Sequence, residues 1–206
     1  MSRKGAEVTA TIASTCNPLS KKSGPRGFTL IELMITLAVL TVTLTLAAPS
    51  FTELIRDNRL ISEVYAMRAT LNMARSEAIA RRLPVVVCGT VDGLACSEDP
   101  DWSSGYMVLL GADDSATVDV DNPSLNRLQW ENRPNSRVSM VFSGDFTRFD
   151  AMGSSLGNTG TLVFCDARGA EKARGLIVTS VGSLRASVDD DDNGVVEDAS
   201  GNDVSC

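Results

Sequence analysis

Residues 28–48 read FTLIELMITLAVLTVTLTLAA, 21 positions with a single ionisable group, Glu32. At about 1.5 Å per residue such a run spans roughly 31 Å as a helix, close to the ~30 Å hydrocarbon thickness of a bilayer. One membrane-spanning helix is the direct reading. Beyond Pro49 the pattern stays helical, because Leu54, Ile61, Val64, Met67, Leu71, Ala74 and Ala78 recur at spacings of 7, 3, 3, 4, 3 and 4 and so predict one apolar face. Charged residues such as Arg56, Asp57, Arg59, Glu63, Arg68 and Arg75 take other positions, and Glu77 with Arg81 makes an i,i+4 pair. The helix should stop before Pro84, making 28–82 one element of 55 residues, about 80 Å long at that rise. Pro49 removes a backbone hydrogen bond and is expected to kink it.

From Leu83 onward the texture changes to short β-rich runs separated by Gly, Asp, Asn and Ser. Strands are predicted over 84–88, 105–110, 125–130, 138–142, 161–165, 175–180 and 183–188, and seven short strands in succession imply antiparallel sheets. Segments 111–122 and 189–203 read as acidic, mobile loops. No internal repeat appears, and no linker is long enough to separate a second globular domain. The fold class is therefore α+β: a long N-terminal helix, its first half membrane-spanning, packed on a small antiparallel sheet domain over 83–206.

Charge sets the orientation. Arg3, Lys4, Lys21, Lys22 and Arg26 oppose only Glu7 in the first 27 residues, while the remainder carries 14 basic and 25 acidic groups, a net of −11. Basic residues ahead of an apolar span keep that end cytoplasmic and send the rest across the membrane. Composition also narrows the chemistry. With 0 histidines the chain has no Ser-His-Asp or Cys-His arrangement and no histidine-ligated metal, so no catalytic role and no cofactor are expected.

Three readings compete for the apolar run. A cleaved secretory signal has a shorter apolar stretch and a small-x-small cut site, which Leu46-Ala47-Ala48-Pro49 matches poorly. A plain signal anchor leaves Glu32 without a purpose. Residues 27–32, GFTLIE, followed by 16 positions without a charge, resemble the class III signal of type IV prepilins and pseudopilins. That resemblance implies removal of a leader, residues 1–27, by a prepilin peptidase cutting between Gly27 and Phe28, with methylation of the new Phe28 amine. It also makes Pro49 the counterpart of the helix-perturbing proline that pilins carry past their apolar segment.

Glu32 gains a physical role on this reading. An ionised group within a spanning helix costs about 2.5–3.5 kcal/mol on insertion scales. No Lys or Arg occurs between Phe28 and Ile55, but the α-amine of a trimmed Phe28 on a neighbouring subunit would supply a cation. Two unit charges 4 Å apart at an effective dielectric of 20 attract by about 4 kcal/mol, enough to offset the burial. Glu32 is therefore expected to set axial register between subunits.

Cys16 falls in the leader, leaving Cys88, Cys96, Cys165 and Cys206. An even count in an exported domain suggests disulfides. Of three pairings, one joins Cys88 to Cys96 across seven residues and Cys165 to Cys206, tying the C-terminal residue back to a strand. Zinc is disfavoured, because no CxxC spacing is present.

The layout sharpens the resemblance. The helix text SEVYAMRATLNMARSEAIARR, the 88–96 loop followed by Trp102-Ser103-Ser104-Gly105, the stretch FDAMGSSLGNTGTLVFCD, the turn 182–185 and the terminal Cys206 are, in that order, similar to the GspH/FimT family of minor pilins and pseudopilins, particularly its FimU-like minor pilins. Membership implies a low-abundance subunit that primes assembly of a type IV pilus and is incorporated at its tip. The implied partners are other minor pilins, the major pilin, the prepilin peptidase and an inner-membrane assembly platform. The chain would sit in the inner membrane as a single-pass protein with a periplasmic C-terminal domain, then in an extracellular pilus. The nearest alternative is a type II secretion pseudopilin.

Three further features carry candidate chemistry. Residues 153–157, GSSLG, satisfy the G-x-S-x-G pattern, but Ser155 has no histidine to take its proton, so a glycine-rich loop is the better reading. Asp189, Asp191, Asn193 and Gly194 match the first half of a calcium loop, yet position 12 is Ser200 rather than a bidentate Glu; a solvated acidic loop is favoured. DNA capture is the other functional class, because some FimT-type relatives use a Gly-Arg-x-Arg stretch; here residues 182–185 read GSLR, with one arginine missing. Arg168, Arg174 and Arg185 are the candidate DNA contacts, opposed by the four aspartates at 189–192 and by the net negative charge, so nucleic acid is not the expected partner.

Overall fold

The computed structural model describes residues 27–97, 99–111, 126–134 and 136–206, without the side chains of Ala48 and Pro49. Residues 1–26 of the expected leader 1–27, including Cys16, and the acidic loop beyond Gly111 lie outside the described residues. The chain divides into two units, residues 1–47 and 48–206.

In the first unit Gly27, Phe28 and Thr29 precede helix α1 (Leu30–Arg81). Thr29 caps it: its hydroxyl oxygen accepts from the Glu32 N–H at 3.3 Å and its carbonyl from the Leu33 N–H at 3.1 Å. Residues 30–47 are all exposed. This stretch holds several threonines, and those at 36, 41, 43 and 45 turn their hydroxyls inward to the carbonyls of Leu33, Ala38, Leu40 and Val42 at 2.8–2.9 Å. Back-bonding of this kind satisfies polar hydrogens that hydrocarbon could not.

The second unit begins within α1. Position 49, where a kink was expected, has a helical backbone, and its side chain lies outside the described residues. Leu60, Met67, Leu71, Ala74 and Ala78 are buried, with Val64 packed beside them. Two expected members of this face belong elsewhere: Leu54 and Ile61 are exposed at 55% and 39%. The core-facing series 60, 64, 67, 71, 74, 78 keeps strict 4,3 spacing. At 3.6 residues per turn Ile61 lies about 100° and Leu54 about 120° around from Leu60. The helix ends at Arg81, and Arg82 turns the chain at φ 55° before Pro84.

Eight strands follow: β1 (Val85–Gly89), β2 (Gly105–Leu110), β3 (Arg127–Asn132), β4 (Ser139–Phe142), β5 (Phe146–Phe149), β6 (Gly160–Cys165), β7 (Arg174–Val178) and β8 (Leu184–Ala186). They form two antiparallel four-stranded sheets, ordered β3-β2-β1-β5 and β4-β6-β7-β8. Strand β5 was not anticipated. Its buried positions are Thr147 and Phe149, so a polar residue occupies one of the two places that would have shown the alternation. Thr147 is accommodated because its hydroxyl meets the Asn158 carbonyl at 3.0 Å and the Ser155 hydroxyl at 3.2 Å.

The principal core joins the helix face to both sheets, through Val87, Val108, Phe149, Leu162, Phe164 and Leu176. A second, smaller core contains Val86, Cys88, Met107 and Leu109, with Cys96 and Phe146 packed against it. Strand β1 is therefore buried on both faces, which explains its unbroken Val85-Val86-Val87-Cys88 run. Disulfides join Cys88 to Cys96 and Cys165 to Cys206. The C-terminal segment is not the loose tail expected from its composition. Val204 is buried with Cys165 and Ala173, and Val195 and Val196 pack on the same cluster with Val163.

Candidate functional site

The bond between Gly27 and Phe28 lies in non-helical chain, three residues ahead of Leu30. Nothing lies within 4 Å of the place a Gly27 Cβ would occupy, and Phe28 is 83% exposed. The expected cut therefore lies in non-helical, exposed chain. Glu32 stands in the first turn of α1, exposed, where the positive end of the helix dipole favours an acid. The helix that carries it is long and apolar enough to cross a membrane. No cation within the span is available to neutralise the carboxylate.

The three arginines considered for DNA do not form a patch. Arg168 is turned into its own fold: Nη1 donates to Asp57 at 2.7 Å and to Glu53 at 2.8 Å, while Nε and Nη2 grip Asp166 at 3.0 and 2.8 Å. Asp166 first, then Asp57 and Glu53, push its already high pKa further up. In return the Arg168 guanidinium holds the Asp166 carboxyl below the usual carboxylate range. Strand register separates the other two. Leu176 opposes Ala186 and Ile177 opposes Arg185, so Arg174 shares the face of Leu176 while Arg185 lies on the other.

The acidic loop is closed by its own backbone. Asp189 accepts from the N–H groups of Asn193 and Gly194 at 3.1 and 2.9 Å, and Asp191 accepts from the Asn193 N–H at 3.1 Å. Asn193 uses its carbonyl oxygen on the Val195 N–H at 2.8 Å and its amide on Asp203 at 3.0 Å. The carboxylates that converge are instead those of Asp189, Asp191 and Glu197, within 4.8 Å of one another. Glu197, buried and receiving the Asp190 N–H at 2.9 Å, was missed by sequence reasoning. Its position, ninth from Asp189, was the available signal.

The family profile described as type II transport protein GspH matches residues 63–182. The chain belongs to the GspH family. A second profile, the prokaryotic N-terminal methylation motif, matches residues 22–48 and so covers Gly27, Phe28 and Glu32. Among solved structures, the type IV minor pilin FimU of Pseudomonas aeruginosa in space group P21 aligns with a TM-score of 0.50 and 20% identity, covering 64% of this chain and 90% of that one. A second crystal form of that protein, in space group P65, aligns at 0.48 and 19%, covering 63% and 93%. No curated protein matches the chain.

In this GspH-family member the architecture is that of a type IV pilin: a long apolar N-terminal helix and antiparallel sheets. The family is structural, and its chains assemble into pili or pseudopili after membrane anchoring. Ser155 fits that picture. Its hydroxyl is buried and donates to the Asn158 carbonyl at 3.0 Å, and its N–H donates to the Ser180 carbonyl at 2.9 Å, so the residue fastens two turns together.

Proposed function

We propose that the chain, cut between Gly27 and Phe28 and methylated on the new amine, enters a type IV pilus as a minor subunit that primes assembly and remains at the tip. The role is structural and includes no catalytic step. Before assembly it sits in the inner membrane with the sheet domain in the periplasm. Its partners are the prepilin peptidase, the assembly platform, other minor pilins and the major pilin.

The observation that carries this reading is Glu32: the one acid in the wholly exposed apolar stretch 30–47 of α1, which holds no lysine or arginine. A buried carboxylate without a counter-charge is costly, and trimming creates the missing cation. Lateral packing of helices supplies the attraction, and the Glu32–amine pair supplies the register. Pro49 lets the helix adjust as subunits join. In cells lacking the native copy, Glu32→Ala is expected to accumulate in the membrane yet fail to enter sheared pili, with fewer pili per cell. Normal incorporation would contradict the reading.

The description of the matched family favours a second reading, a type II secretion pseudopilin. Deletion separates the two. Loss of surface pili with intact protein secretion supports the first, and loss of secretion with normal pili supports the second.

A further inference from the structure

A groove of about 980 Å³ runs between α1 and the β2–β3 side of the sheet domain. Along the helix its wall extends from Arg59 to Met73, about 21 Å at the helical rise. Midway, Ala66 and Ala69 present only methyl groups, which keeps the channel open. The two ends differ in character. Arg59, Arg133 and Arg137 converge at one end, while Met73, Thr70 and Gln129 line the other.

The cationic end is only partly neutralised. Arg133, with 6% of its side chain exposed, directs Nη2 at Glu63, 2.9 Å away, and at the Ser136 hydroxyl, 2.8 Å away. Its Nη1 is buried and has no hydrogen-bond partner among the described residues. Buried guanidinium nitrogens ordinarily find an acceptor, and an orphan is costly. No ion pair engages Arg59 or Arg137 among the described residues either. Three guanidiniums thus face a groove in which Glu63 is already committed and Glu131 is the other carboxylate.

We propose that this groove receives an extended acidic segment of a neighbouring pilin subunit, its carboxylates on Arg59, Arg133 and Arg137 and its uncharged residues along Ala66 to Met73. The proposal deepens the assembly reading and rests on it for the nature of the partner. A channel of this length accepts about six residues of extended chain at ~3.3 Å each, more than a single small anion fills. Guanidinium forks match carboxylates bidentately. A long polyanion is the poorer occupant. Glu131 stands in the wall, Glu53, Asp57 and Asp166 surround the nearby Arg168, and the chain beyond residue 27 carries −11.

The test uses the mature full-length protein in detergent micelles and three fluorescein-labelled probes: the hexapeptide DDVALA, its amide twin NNVALA, and a 15-nucleotide oligothymidylate. Fluorescence anisotropy should show DDVALA binding at least tenfold more tightly than NNVALA, and Arg59→Gln with Arg137→Gln together should weaken it at least tenfold. These two side chains make no ion pair among the described residues, so the thermal midpoint should be unchanged; Arg133 is left in place because the fold uses it. Equal binding of the two peptides, or no effect of the double substitution, would overturn the proposal. Oligothymidylate binding abolished by that substitution, without peptide binding, would overturn it in favour of nucleic acid. The assay contains no filament, so its failure leaves the Glu32 result standing, and failure of the Glu32 experiment leaves the groove's peptide preference standing.

Discussion

The guanidinium of Arg168 lies 2.7 Å from the carboxylate of Asp57, joining the loop after β6 to α1 across 111 residues of sequence. Glu53 and Asp166 complete a three-carboxylate grip on a side chain that is only 10% exposed. Removing the cation would leave Asp166 without its main partner. Arg168→Ala is expected to lower stability by about 1–3 kcal/mol, read as a shift of the urea midpoint. Glu53 is half exposed, so Glu53→Gln should cost well under 1 kcal/mol. Equal effects of the two substitutions would contradict the assignment of Arg168 as the anchor.

The same cluster gives an acid-sensitive contribution to stability. Asp166 has a folded pKa held below its unfolded value, chiefly by the hydrogen bond from Arg168. Below an unfolded pKa of about 3.9 the unfolded chain takes up protons that the folded chain still resists. The stabilisation is therefore complete above that value and lost as pH falls through the lower folded pKa. Thermal midpoints measured from pH 6 to pH 2 should fall less steeply in Asp166→Asn than in the parent. A parallel fall would show that Asp166 contributes nothing to the acid limb.

Cys206 bonded to Cys165 holds the C-terminal segment over β6, where Val204 is buried. With its ends 41 positions apart in sequence, the cross-link restricts the unfolded chain by about 4 kcal/mol on the loop-entropy account. In Cys206→Ser the amides of 189–203 should exchange with solvent far faster, while β1 and β2, closed by their own disulfide and core, remain protected. Unchanged protection in the tail would mean that Val195, Val196 and Val204 hold it without the bond.

Much of this architecture was readable in advance because its determinants are local. The apolar run at 28–48, GFTLIE and the 4,3 series from Val64 to Ala78 each follow from periodicity or spacing. What escaped depends on distant partners. Leu54 and Ile61 look like core on an isolated helix, and only the placement of the sheets selects Leu60 instead. Strand β5 was hidden by Thr147, a polar residue whose burial depends on Ser155 and Asn158. Arg168 looked like a surface cation until Glu53 and Asp57, more than 100 residues earlier, were brought to it. Glu197 looked like one more exposed acid in an acidic tail, yet it is buried against the Asp190 amide.

Gly182 has φ +73°, and a Cβ there would run into the carbonyl oxygen of Gly153. Arg75 holds both turns from the helix, donating Nε to Gly153 O at 2.9 Å and Nη2 to Val181 O at 3.2 Å. Gly182→Ala therefore combines an unfavourable backbone angle with a backbone collision that no side-chain rotation relieves, and should cost more than about 1 kcal/mol. Differential scanning calorimetry should show a lowered midpoint, whereas Gly201→Ala, also at positive φ but in open space, should lose less. Equal losses would show that the contact with Gly153 is unimportant.

On the proposed function, the amine freed at Phe28 would supply the counter-charge that makes Glu32 tolerable in a membrane and useful in a filament. Intact mass spectrometry of protein extracted from the membrane or from sheared pili measures this directly. The predicted mass corresponds to a chain starting at Phe28, with one methyl group added and four hydrogens missing for the two disulfides. A mature chain that still carries residues 1–27, or that begins anywhere other than Phe28, would contradict it.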